Sequence, residues 1–167
     1  MSDFGIKVID EFLQKEDQEK IFNIISKSKN WSFTGGGDGD YFWHVDGFEK
    51  DPYFSQYIFG KVEKYIDKKC EILRVYANGQ TAGQNGCPHL DNVDDKAITF
   101  LYYPNPNWDV RWQGHLHFLD SNEIVRTINY KPNRCVMFNG NIMHYAEAPH
   151  RCYNYLRISL AYKLRLI

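Results

Sequence analysis

The order of hydrophobic periodicities along the chain predicts an α+β fold in which supporting helices come first and a β-sandwich or barrel core follows. Three observations carry this. Apolar residues recur at helical spacing in two early segments; from Glu71 onward the pattern changes to short runs separated by Asn, Gly, Asp and Pro; and neither an internal repeat nor a low-complexity tract interrupts the change. The first helix is expected over Gln14 to Lys29, where Ile21, Ile24 and Ile25 are separated by charges. Asp17 and Glu19 near its start complement the helix dipole. The second is expected over Tyr53 to Lys68, where Phe54, Tyr57, Ile58, Val62, Tyr65 and Ile66 recur near helical period after the stop at Asp51-Pro52. Between them, the glycine-rich stretch from Thr34 to His44 reads either as a lid whose aromatics close over substrate or as a flexible connection. It lacks the Lys and Ser or Thr that a phosphate loop requires.

With 167 residues, 43% of them hydrophobic and 16% aromatic, the chain is expected to form one domain over residues 1–167 rather than a disordered segment. A net charge of −1 gives no reason to expect nucleic acid or an anionic membrane as partner. Met1-Ser2-Asp3-Phe4 lacks a basic start leading into an apolar run, and nothing approaches a membrane span, so a cytoplasmic protein is expected. Cys70, Cys87, Cys135 and Cys152 show no close paired spacing and read as reduced thiols.

The chemistry concentrates at Pro88-His89-Leu90-Asp91. In an extended strand His89 and Asp91 share a face and can reach one metal ion, while Leu90 turns into packing. His144 supplies a third ligand, because it follows Cys135-Val136-Met137-Phe138, a run that reads as a buried strand. Two imidazoles and a carboxylate form a facial triad, which suits non-haem Fe(II) and leaves three adjacent positions open for oxygen chemistry. Downstream, the alternation from Tyr155 to Lys163 sets Tyr155, Arg157, Ser159 and Ala161 on one strand face. A buried arginine there needs a carboxylate, and a dicarboxylate ligand would bring one. A rival metal pair is His115 and His117 with Glu123, which resembles the first half of a cupin motif and implies a non-catalytic metal-binding β-sandwich. That pair lacks the companion glycine-rich segment, and His44 and His150 have no evident partner.

The parts that accompany His89-x-Asp91, in their order, resemble the prolyl 4-hydroxylase-like branch of the 2-oxoglutarate and Fe(II)-dependent dioxygenases. The similarity runs from Val8-Ile9-Asp10-Glu11-Phe12-Leu13, through Arg74 to Gln80, Pro88 to Asn92, Ile98 to Tyr103, Gly114 to Phe118 and Lys131 to Phe138, to Lys163. The resemblance implies a double-stranded β-helix (jelly-roll) core. It implies His89, Asp91 and His144 as iron ligands, Arg157 and Tyr103 on the distal carboxylate of 2-oxoglutarate, and Tyr76 near its metal-chelating end. Arg151 is the rival to Arg157, although it follows Pro149-His150 in an irregular segment. The implied cofactors are Fe(II), 2-oxoglutarate and O2, with ascorbate as reductant. The implied reaction is hydroxylation of a prolyl residue in a peptide or protein, or alternatively of a free amino acid or other small molecule. Tyr41 and Trp43 on one loop, and Trp108 and Trp112 on another, would wall a groove for an extended peptide. Short stand-alone domains of this kind resemble bacterial and bacteriophage members, as monomers or homodimers.

Overall fold

The protein is described by a computed structural model that covers residues 5–35 and 41–167. Residues 36–40, the centre of the expected lid, lie outside the described residues.

Among the described residues, ten strands pair into two antiparallel sheets. The larger sheet contains β1 (Lys7–Ile9), β2 (Ser32–Gly35), β3 (Tyr41–Asp46), β4 (Cys70–Gln80), β5 (Ala97–Tyr102), β8 (Cys135–Asn139) and β10 (Arg157–Leu166), in the order β1-β8-β5-β10-β4-β3-β2. The smaller contains β6 (Leu116–Asp120), β7 (Glu123–Ile128) and β9 (His144–Ala146), in the order β7-β6-β9. Two facing sheets of this kind make the expected jelly roll. The helices-first expectation holds only in part, because β1, β2 and β3 interleave with the helical segments and join the larger sheet at its two edges.

Strand register divides the larger sheet into two faces. Tyr76 opposes Ala161, Arg74 opposes Lys163 and Gln80 opposes Arg157, so these residues share one face of β4 and β10. Val75, Ala77, Ile158, Leu160 and Tyr162 take the other face, where they are buried with Ile21, Ile25, Phe54 and Ile58 of the helical layer. A second core of Leu116, Phe118, Ile128, Val136 and Phe138 fills the space between the sheets. The alternation read for β10 is therefore real, yet its residues are buried on both faces because it is the central strand.

The first helix, α1, spans Lys15–Ser26, shorter than expected at both ends. Trp31 Nε1 donates at 3.0 Å to the Ile25 carbonyl, which also accepts from the Ser28 amide at 3.1 Å, and so ties the following chain to the last turn. The second expected helix is broken into a π-helical turn Tyr53–Ile58, a short α2 (Phe59–Val62) and a 3-10 turn Glu63–Tyr65, and it stops before Lys68. The apolar period is helical, but the changing turn type follows the packing of Phe54, Ile58 and Val62 into the core.

Asn105, in the loop after β5, ties the segment before β10 to the core. Its amide donates to Tyr153 Oη and the Leu156 carbonyl, both at 3.0 Å. Its Oδ1 accepts from Tyr130 Oη at 2.6 Å and the Ile158 amide at 2.9 Å. It is only 2% exposed, so Asn105→Ala leaves several buried groups unpaired. The expected cost is about 2–4 kcal/mol, measured as a lower midpoint in chemical denaturation with unchanged cooperativity. A midpoint equal to wild type would mean that this network does not hold the entry to β10.

Candidate active site

His89, Asp91 and His144 come together between the sheets, with one potential ligand atom from each lying within 4.8 Å of the others. The local geometry differs from the expected strand. His89 makes a single bridge to His144, donating to its carbonyl at 2.9 Å and accepting at 3.0 Å, and the Asp91 amide then turns to the Gly140 carbonyl at 2.9 Å. Leu90 is correspondingly 40% exposed and does not turn into packing. The segment borrows one position on the edge of β9 and no more.

Both histidines are oriented by carbonyl groups. His89 Nδ1 lies 2.9 Å from the Cys87 carbonyl and His144 Nδ1 lies 2.8 Å from the Ile142 carbonyl. A carbonyl only accepts, so each Nδ1 carries a hydrogen: in the neutral ring Nε2 presents a lone pair to the centre, and in the protonated, metal-free ring it carries a second hydrogen that faces Asp91. His89 Nε2 and His144 Nε2 sit 3.3 and 3.4 Å from the two oxygens of Asp91. Burial pushes the Asp91 carboxyl upward, but the hydrogen bond from His89 and the charges of Lys163 and His144 together hold it well below the usual carboxylate range. Burial lowers His144 to about 4, against the pull of Asp91. His89 is raised, because its hydrogen bond to Asp91 outweighs burial.

Asp91 Oδ2 also accepts from Thr99 Oγ1 at 2.5 Å and pairs with the Lys163 ammonium. The alternation that sets Arg157, Ser159 and Ala161 on one face of β10 continues one step further to Lys163. Thr99 opposes Lys163 across β5 and β10, which is why both arrive at one carboxylate.

Farther along the same face, Arg157 is 1% exposed. Its Nε donates to the Gly114 carbonyl at 2.7 Å and its Nη1 to Gln80 Oε1 at 2.9 Å. The guanidinium lies over the stacked rings of Tyr130 and Tyr103, 4.9 and 5.5 Å from their centroids. Among the described residues it forms no ion pair with a carboxylate. The buried Tyr103 hydroxyl has no hydrogen-bond partner among them either. Burial pushes that hydroxyl up to about 12, with Arg157 pulling the other way. A buried cation without an anion beside a buried hydroxyl without a partner fits a carboxylate-bearing ligand. Arg151, the rival, lies exposed in the turn that precedes β10.

Gly114 makes this arrangement possible. It adopts φ +76°, and a Cβ there would lie 2.9 Å from Arg157 Cδ and 3.1 Å from Trp108. Gly114→Ala is expected to cost about 1–3 kcal/mol of stability through backbone strain and to shift the guanidinium. Thermal unfolding measures the first effect, and calorimetric titration with 2-oxoglutarate the second. Unchanged values in both would show that the site tolerates a side chain there.

The other expected residues are distributed unevenly. Tyr76 lines a cavity of about 300 Å³ together with His89, Asp91, Thr99, Lys163 and Arg74. Trp108 packs on Tyr130 and Tyr153, and Trp112 on Trp108 and Tyr153. Trp112 also lines a separate apolar cavity of about 430 Å³ beside Phe22, Tyr155 and Leu156. On β3, Trp43 opposes Gly79 and Val45 opposes Ala77, so Tyr41 and Trp43 take the helix-side face. His44 and Asp46 take the face of Tyr76. His117 bonds Thr127 at 2.9 Å, and Glu123 stands opposite Asp120 at the turn end of β6 and β7; the carboxylate near the rival pair is Glu147, 3.9 Å from His117 Nε2, and among the described residues these groups do not form a three-ligand cluster of the kind that His89, Asp91 and His144 form.

A family model, the 2OG-Fe(II) oxygenase superfamily, matches residues 72–162, which include the triad, Tyr76, Tyr103 and Arg157. The chain belongs to this superfamily. Its chemistry uses Fe(II), 2-oxoglutarate and O2. No curated protein is a significant match to this oxygenase. Solved structures share its fold. A prolyl hydroxylase from Trichoplax adhaerens, in complex with a hypoxia inducible factor peptide fragment, has a TM-score of 0.72 at 14% identity, covering 98% of this chain and 84% of that one. The viral collagen prolyl hydroxylase of Paramecium Bursaria Chlorella virus-1 gives 0.69 at 15%, covering 98% and 97%. HygX from Streptomyces hygroscopicus, with nickel and 2-oxoglutarate bound, gives 0.72 at 9%, covering 98% and 83%. No helix of this oxygenase, among the described residues, is long and apolar enough to cross a membrane.

Proposed function

We propose that this oxygenase hydroxylates a prolyl residue in a peptide or protein, with His89, Asp91 and His144 holding Fe(II) and with Arg157 and Tyr103 holding the distal carboxylate of 2-oxoglutarate. The observation that carries the cosubstrate assignment is a buried Tyr103 hydroxyl with no hydrogen-bond partner, beside a buried Arg157 with no carboxylate partner, among the described residues. When bound, the metal and cosubstrate supply an oxidation in which 2-oxoglutarate and O2 become succinate and carbon dioxide, and one oxygen atom enters a substrate C–H bond. The chain's own residues orient and enclose. The carbonyls of Cys87 and Ile142 keep both Nε2 atoms turned to the centre. Thr99 and Lys163 fix the Asp91 carboxylate in one rotamer. Gln80 and the Gly114 carbonyl aim the Arg157 guanidinium, and the Tyr103–Tyr130 stack excludes water behind it. Tyr76 lines the same cavity as His89 and Asp91, where it can contact the chelating end of the cosubstrate or the substrate.

The prolyl reading draws support from prolyl hydroxylases among the similar folds and from the ordered motifs of the sequence. A free amino acid or other small molecule is the second reading, favoured by the modest size of the metal-side cavity, about 300 Å³. Incubation with Fe(II), 2-oxoglutarate and ascorbate should give succinate, and mass spectrometry of a prolyl-peptide panel should show a hydroxyl added to proline. Succinate release with modified free proline but no modified peptide would select the second reading.

A further inference from the structure

We infer that the substrate presents a carboxylate to Lys163 and Arg74, the two cations on the metal side of the cavity. This rests on the proposed metal and cosubstrate sites and specifies what the third component must carry.

Lys163 and Arg74 are register partners on β10 and β4. Both stand over the Tyr76 ring, Lys163 at 5.8 Å and Arg74 at 4.4 Å from its centroid, and both line the cavity that holds His89 and Asp91. Their present anionic partners differ in kind. Arg74 pairs with Asp46, a residue outside that cavity lining. Lys163 pairs with Asp91, the carboxylate that the metal also requires, and Asp91 is the only acidic residue in the cavity lining.

A divalent ion, Asp91, the dianion of 2-oxoglutarate, Arg157 and Lys163 together leave one positive charge. Arg157 cannot share the cosubstrate's distal carboxylate with Lys163, because six residues of strand, roughly 20 Å, separate them along β10. With a side chain only 20% exposed, the Lys163 ammonium is left poorly hydrated once Asp91 gives its charge to a metal. A neutral prolyl ring does nothing for that charge. A carboxylate close to the oxidised carbon does, whether it is an acidic side chain beside the target proline in a peptide or the α-carboxylate of a free amino acid. Arg74, already over Tyr76, provides a second donor at the same wall.

The test is calorimetry on the Mn(II)-loaded protein with 2-oxoglutarate bound. The probes are N-acetylproline against N-acetylprolinamide, and an acetyl-Ala-Pro-Glu amide against its Gln counterpart. In one pair the acid should bind about ten-fold tighter than the amide, and that pair identifies the source of the carboxylate. Lys163→Met should reduce the preference to less than about two-fold, with Mn(II) affinity measured separately. Arg74→Met, which leaves the Lys163–Asp91 pair intact, should reduce it in part and keeps the test decisive where Lys163→Met fails to hold metal. Equal binding of acid and amide in both pairs, no binding of either acid, or a preference that survives both substitutions overturns the inference while leaving the oxygenase assignment standing. Failure of the Mn(II)-loaded protein to bind 2-oxoglutarate, read before any probe is added, would remove the proposed sites and the inference with them.

Discussion

Asp91→Ala is expected to lower affinity for Fe(II), or for Mn(II) as an inert substitute, by more than about a hundred-fold and to abolish succinate formation. The carboxylate is the only anionic ligand of the three, and it also orders its surroundings. Its removal takes the anion from Lys163 and the acceptor from Thr99 at once. His89→Ala should lose metal for a simpler reason, since one of two imidazoles already turned inward is missing. Thermal unfolding of each metal-free variant, run beside equilibrium metal titration, distinguishes a lost ligand from a lost fold. Succinate output equal to wild type in both variants would exclude the triad as the metal centre.

Arg157→Leu should weaken 2-oxoglutarate binding by about 3–5 kcal/mol, the range for breaking a buried charge pair, while metal affinity stays near wild type. The cation sits between Gln80, the Gly114 carbonyl and two aromatic rings, so its charge is poorly compensated until a carboxylate arrives. Arg157→Lys should recover only part of the loss, because an ammonium lacks the planar fork that meets a carboxylate at two points. Arg151→Leu should change little, since Arg151 is exposed in the turn before β10. Calorimetric titrations giving the opposite order would transfer the role to Arg151.

Period and motif made most of the jelly roll legible, and the reasons differ by element. β10 could be read because Arg157 to Lys163 alternates strictly, and β8 because its apolar run stands out before His144. The gathering of His89, Asp91 and His144 and the burial of Arg157 are legible because such residue types are costly to bury without a partner. β2 and β3 are hard to read because the glycine- and aspartate-rich sequence between Gly35 and Tyr41 interrupts their alternation, and only register sets His44 and Asp46, rather than Tyr41 and Trp43, on the face of Tyr76. A strand's facing direction depends on register, which composition does not carry. Gln80 and Gly114 were invisible as site residues for a related reason: they act on Arg157 from β4 and from the loop before β6, and only tertiary pairing brings them there. The expected turn of Leu90 into packing failed because a single bridge, rather than a strand, carries His89.

The position of β10 bears on how the molecule assembles. β4 and β5 follow one another in the chain, yet they never pair; each hydrogen-bonds β10, which is threaded between them. Until that distant strand arrives, both neighbours carry an open edge of unpaired amides and carbonyls, a template for association with other chains. Such non-local pairing belongs to slow folding, on the millisecond-to-second scale or beyond. Arg157 and Lys163 arrive with the same strand. The proposed cosubstrate and substrate contacts should consequently appear only in the closing step of refolding, and ligands added during refolding should slow unfolding far more than they accelerate folding.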